Sequence, residues 1–178
     1  LVATAAAGVA TAAPDQQTES GTEAQTAGPR AGTPAHGADG ALVHRMTLIT
    51  GDVVTVTELA DGTQTADVES PEGATGGYQT WTVDGQLHVV PDAARSFLAA
   101  GTLDQDLFNV SGLIKQGIGT DGQDTAPIIV QFAEGRSTNV VQSTLASRTA
   151  TLESINAVAL QPEPDAAGDV WQTLTGGS

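Results

Sequence analysis

The chain has 178 residues, with 21 acidic against 6 basic side chains, a net charge of −15 and a pI near 4.1. Such a surface repels nucleic-acid phosphates and anionic lipid, so neither a nucleic-acid nor a membrane partner is expected. There is no cysteine, which excludes disulfides, thiolate metal sites and a cysteine nucleophile, and aromatics are only 3% of residues, so the core must be built from Val, Leu, Ile and Ala.

The first segment, LVATAAAGVATAAP (residues 1–14), is a small-residue apolar run without Met or a basic start. Its ATA at residues 10–12 has the A-x-A form of a signal-peptidase site, which reads as the remnant of an export signal and places the protein outside the cell. A plain Ala/Thr linker is the alternative, and in either case the run is too short to span a bilayer. Residues 15–41, DQQTESGTEAQTAGPRAGTPAHGADGA, hold hardly any large apolar side chain. They cannot bury enough surface to offset the entropy of ordering, so disorder is expected up to Leu42.

A β-rich unit of antiparallel hairpins is expected over residues 42–118. HRMTLIT, VVTVTEL and TQTADVE are separated by Gly51-Asp52 and Asp61-Gly62, and YQTWTV and QLHVV by Asp84-Gly85. Each Asp-Gly suits a two-residue type I′ turn. For the second hairpin, counting outward pairs Val83 with Gln86, Thr82 with Leu87, Trp81 with His88 and Thr80 with Val89. Apolar residues then fall on both faces, Trp81, Val83 and Val90 on one and Tyr78, Leu87 and Val89 on the other, so the hairpin should be covered at least partly on both sides.

Pro91 opens a short helix stopped by Gly101, with Ala94, Phe97 and Leu98 on its inward face. LDQDLFNVSGLIKQG (residues 103–117) has helix-like apolar clusters and closes the unit. Residues 119–125, GTDGQDT, read as a linker.

Residues 126–178 give the order β-α-β-β-α. PIIVQF is a buried strand, Ser137 caps a helix running through Ser147, TATLESI and AVALQ are strands around Asn156, and Pro164-Asp165 opens a helix with the stripe Ala167, Val170, Trp171 and Leu174. One further strand would complete a ferredoxin-like unit, so the fold class is α+β with an incomplete ferredoxin-like second unit. Its absence would leave unpaired backbone groups, which suggests a fragment.

No residue qualifies as catalytic, cofactor-binding or metal-ligating. His36, His44 and His88 lack a second ligand at metal spacing, and the structural reading prevails for each. AHGADG (residues 35–40) and TDG (residues 120–122) superficially resemble triad neighbourhoods but have no element to position them and no nucleophile turn after them. Asp104 with Asp106 and Asp121 with Asp124 read as caps and turns, no EF-hand pattern being present. Asn109-Val110-Ser111 matches a glycosylation sequon, and Gly51 and Gly62 sit in hairpin turns, not in a phosphate cradle. No cofactor is expected.

The segments VHRMTLITGDVVTV, LHVVPDAARSFLAAGTLDQDLFNVSGLIKQG, APIIVQF and TLESINAVALQPEPDAAGDVWQTLTGG together resemble the N-terminal prosegment of secreted actinobacterial subtilisin-family serine proteases, over residues 43–177. The resemblance implies a non-catalytic region, not itself an enzyme, that precedes a protease domain, assists its folding, shields its active site and is then removed. The downstream protease domain is the implied partner, with the inhibitory tail expected after Ser178. Two other readings stay open: a stand-alone secreted binding or inhibitor module, and an accessory domain retained in the mature enzyme.

Overall fold

The computed structural model describes residues 2–5, 35–36, 41–74, 76–120, 124–134 and 145–176. In chain order the strands are β1 (Val2–Ala5), β2 (Ala35–His36), β3 (Leu42–Thr47), β4 (Val53–Glu58), β5 (Gln64–Glu69), β6 (Tyr78–Val83) and β7 (Gln86–Pro91). Helices α1 (Asp92–Ala99) and α2 (Val110–Lys115) follow, then β8 (Ile128–Gln131), β9 (Ala146–Leu152), β10 (Ala157–Pro162) and α3 (Ala167–Thr175). They form an α+β fold with three antiparallel sheets, in the orders β1-β8-β10-β9, β2-β3-β4-β5 and β6-β7.

Sequence alternation explains the second sheet. In β4, Val54 and Val56 are fully buried while their neighbours are partly exposed. The β6-β7 hairpin turns on Asp84 (φ 50°) and Gly85 (φ 73°), the two positive values of a type I′ turn, and its register pairs the residues expected from counting. Its burial is asymmetric: β7 is buried on both faces from Leu87 to Pro91, whereas β6 is mostly exposed.

The other two expected tight turns need correction. Glu58 pairs with Gln64, and Leu59 N–H donates to Thr63 O at 2.9 Å, which leaves a three-residue loop. In it Asp61 has ordinary φ and only Gly62 (φ 83°) is left-handed, as in a type I turn closed by a Gly bulge. Between β3 and β4 the pattern repeats: Leu48 N–H donates to Asp52 O at 2.8 Å and Gly51 N–H to Leu48 O at 2.9 Å, leaving a three-residue loop, residues 49–51, whose Ile49 is buried in the core. Its Gly51 (φ 88°) passes close to α3: a Cβ there would lie 3.0 Å from Gly168 Cα.

Pro91 ends β7 and caps α1 from outside the helix, and Ala94 is fully buried with Phe97 and Leu98 packed against the core. Residues 103–117 divide into a 3-10 turn (Gln105–Phe108) and α2, with Asn109 between them as N-cap, its Oδ1 accepting from Gly112 N–H at 2.9 Å. Ordered pairing also begins before Leu42, since Ala35–His36 pairs with β3 and Ala41 is buried. Most of residues 15–41 lie outside the described residues.

The expected helix from Ser137 falls mainly on residues 135–144, outside the described residues. Its end at Ser147 is corrected: Ala146 and Ser147 belong to β9, opposite Pro162 and Gln161. That strand stops at Leu152, and Glu153–Ile155 forms a 3-10 turn ended by Asn156 in the left-handed region (φ 48°). In α3, Ala167 and Val170 are fully buried, with Trp171 and Leu174 partly so.

One contiguous core joins both halves of the chain. It runs from Met46, Val54 and Val56 through Val89, Phe108 and Leu113 to Ile128, Val130, Val158, Leu160 and Val170. Each of these large side chains contributes about 1.5–3 kcal/mol by burial. The segment expected as a linker takes part: Thr47 N–H donates to Asp124 O at 2.7 Å, and the buried Thr125 hydroxyl donates to Pro162 O at 2.6 Å. Residues 121–123 lie outside the described residues.

Candidate functional site

Among the described residues, the buried hydroxyl and carboxylate groups are spent on structure. Asp52, which the sequence places in a turn, is buried at 5% exposure. Its carboxylate accepts from Thr50 Oγ1 at 2.5 Å and Ser70 Oγ at 2.6 Å, tying the β3-β4 loop to the end of β5. A buried carboxylate survives only with such partners. Ser111 does the same for α2: its Oγ accepts from Leu87 N–H at 2.7 Å and donates to Gln64 Oε1.

The groups weighed for chemistry are dispersed. His36 lies on β2, and His44 is buried on β3. His88, buried on β7, stacks on Trp81 with ring centroids 5.7 Å apart. Neither His44 Nδ1 nor His88 Nδ1 has a hydrogen-bond partner among the described residues. Asp104 caps the 3-10 turn, accepting from Asp106 N–H at 2.9 Å. Asp124 contributes its backbone to the Thr47 contact, and Asp121 lies outside the described residues. No group of three His, Cys, Asp or Glu that could hold a metal is found among the described residues, nor is any helix there long and apolar enough to cross a membrane.

The sequon is engaged in packing. Asn109 Nδ2 donates to Gln86 Oε1 at 2.7 Å while its Oδ1 caps α2, and Ser111 is 2% exposed. Glycan transfer to Asn109 would require this corner to open.

Two carboxylates carry lowered pKa values. Asp61 is lowered by the Thr63 N–H that donates to it at 2.8 Å, and Asp92 by the Gly77 N–H at 2.9 Å and then by Arg95. Both are exposed turn or cap groups, so the shifts describe local hydrogen bonding and not a reactive centre.

Cavities are small. The apolar space between α1 and α3, lined by Ile49, Phe97, Leu103, Ile128, Trp171 and Leu174, encloses about 10 Å³, about the room of one water. A cleft beside Arg45, Asp124 and Asp165 encloses about 220 Å³, less than the roughly 300–1,000 Å³ of small-molecule pockets.

What remains as a candidate is a surface. The pairing register puts Ile129, Ala159 and Ala150 in one cross-strand row of the β8-β10-β9 sheet, and Gln131, Ala157 and Leu152 in the next. This face is opposite the one that sends Ile128, Val130, Val158 and Leu160 into the core. Ile129, Leu152 and Ala159 are half-buried, Gln131 and Ala150 exposed, and none is charged. On a chain of net charge −15, those two rows hold no charged side chain, with Ala157 fully buried among them and a register irregularity between Ala159 and Leu160. The sequence marked PIIVQF as a buried strand and AVALQ as a strand, but which residues share a row depends on a register the sequence does not display. No known protein family, curated protein or solved structure matches this chain.

Proposed function

We propose that the chain is the non-catalytic prosegment of a secreted subtilisin-like serine endopeptidase, acting as an intramolecular chaperone and temporary inhibitor of the protease domain that follows it. The observation that carries this reading is the uncharged sheet face of Ile129, Ala159, Ala150 and Leu152, on a molecule whose buried Thr50, Asp52, Ser111 and Thr125 side chains are committed to its own fold. The resemblance of four segments over residues 43–177 supplies the family. The antiparallel order β8-β10-β9 with α3 against one side is compatible with a ferredoxin-like unit.

The mechanism is differential binding. A module that binds the native protease and not its unfolded chain stabilises the native form by mass action. If covalent linkage holds the module at an effective concentration of about a thousand times Kd, the stabilisation is about 4 kcal/mol. The same contact excludes substrate until the linkage is cut and the module dissociates.

N-terminal sequencing of the secreted active product tests this. The mature enzyme is expected to lack residues 41–176, and Ala159→Arg, which puts a charge on the neutral face, should lower the yield of active enzyme several-fold. Active enzyme that still carries residues 41–176 would instead make the chain an accessory domain.

A further inference from the structure

The slot beside β8 is filled from the far end of the chain. β1 pairs antiparallel with β8 in the register Val2↔Gln131, Ala3↔Val130, Thr4↔Ile129 and Ala5↔Ile128. The backbone groups that depend on this strand follow from alternation. Phe132 N–H donates to Asn156 O at 2.9 Å, and Asn156 Nδ2 donates back to Phe132 O at 3.0 Å, both toward β10. Successive residues turn their N–H and C=O to opposite edges, so Ile128 and Val130 face β10 while Ile129 and Gln131 face β1. Two amide donors and two carbonyl acceptors of β8 therefore look to β1 for partners.

Pro127, just before β8, has no N–H of its own, as proline at the start of a strand allows. Beyond it, Ile128-Ile129-Val130-Gln131 has no charge, bulge or further proline to discourage pairing, so the uncovered edge would recruit a strand. The ATA at residues 10–12 follows β1 in sequence. Hydrolysis after Ala12 by an export peptidase would consume one water, leave a carboxylate on Ala12 and an amine on Ala13, and detach β1 from the body.

We propose that Val2–Ala5 is a removable edge strand, and that the slot it fills beside Ile129 and Gln131 is an acceptor site for an extended, uncharged polypeptide segment of small and β-branched residues. The resident VATA defines that chemistry: four residues without charge, two of them β-branched. Binding of this kind draws affinity from main-chain hydrogen bonds and selectivity from alternate side chains. The proposal rests on the export-signal reading of residues 1–14, and the slot is the one that a further strand of a ferredoxin-like unit would take; it needs no protease.

Amide exchange by NMR tests it, with full chain 1–178 compared with chain 13–178. Truncation should reduce protection at Ile129 and Gln131 by about tenfold or more while Val130, bonded to β10, keeps its own. The synthetic peptide LVATAAAGVATA should restore the lost protection, and the same peptide with Thr4→Pro, which lacks the amide opposite Ile129, should not. Unchanged protection in chain 13–178, or equal rescue by both peptides, would overturn the proposal. Protection that rises with protein concentration without peptide would assign the slot to a second copy and overturn the stated ligand. Should chain 13–178 fail to fold, Thr4→Pro in the full chain must still expose Ile129 and Gln131 selectively, and no change there would equally overturn it.

Discussion

Replacing Ser111 by Ala asks whether one hydroxyl holds α2 to the β6-β7 hairpin. In a two-residue hairpin Val83 and Gln86 form the hydrogen-bonded pair next to the turn, so Leu87 N–H points away from β6, toward α2. There Ser111 Oγ accepts it at 2.7 Å, with Ser111 2% and Leu87 6% exposed. Ser111→Ala leaves that N–H buried and unpaired, at a cost of about 1–3 kcal/mol. Gln64, the other partner, is half-buried and still donates to Glu58 Oε2 at 2.7 Å, so its loss adds little. We expect destabilisation of about 2 kcal/mol, which for a domain of this size lowers Tm by roughly 4–8 °C. Urea unfolding followed by Trp81 and Trp171 fluorescence measures it, with Gln64→Ala as the control expected to cost less than about 1 kcal/mol. Equal losses in the two variants, or less than about 0.5 kcal/mol for Ser111→Ala, would refute the reasoning.

Phe108→Ala, at a fully buried position, should cost about 3–5 kcal/mol, and because one core spans both halves of the chain, Trp81 and Trp171 fluorescence should report a single coincident transition. Gly119→Ala puts a Cβ 2.8 Å from Arg45 O at φ +76°, so the loss measured by thermal unfolding should exceed the roughly 1–2 kcal/mol of the left-handed penalty alone. Asp92 has a folded pKa below its ordinary 3.8, so its contribution is present above that value and lost as pH falls through the lower, folded one. Stability measured against pH below about 4 should therefore fall less steeply for Asp92→Asn than for the natural chain.

How much the sequence disclosed depended on the range of the determining interaction. Asp84-Gly85 fixed both φ signs and the loop length locally, so the whole β6-β7 register could be counted from it. Asp61-Gly62 offered the same dipeptide, but the pairing of Glu58 with Gln64 imposed a longer loop, and Asp61 kept ordinary φ. Helical spacing extended the reading from Ser137 to Ser147, whereas Ala146 and Ser147 are claimed by pairing with β10, a tertiary demand that local propensity does not carry. Asn109 and Ser111 suggested a sequon, yet both are polar anchors, and nothing local shows that Leu87 N–H needs an acceptor. The pairing of β1 with β8 was the least legible, since a small-residue run reads the same in a leader as in an edge strand. The uncharged face was half legible: PIIVQF and AVALQ were recognisable as strands, while the faces and rows needed the register.

The most direct test of the central claim is refolding in trans. The protease domain that the proposal places after this chain is denatured and diluted into buffer with and without the chain, and recovered proteolytic activity is followed in time. The account predicts that the chain raises the yield of native protease several-fold and suppresses its activity while the two remain bound, with Ala159→Arg weakening both effects. Equal yield and undiminished activity in the presence of the chain would contradict it.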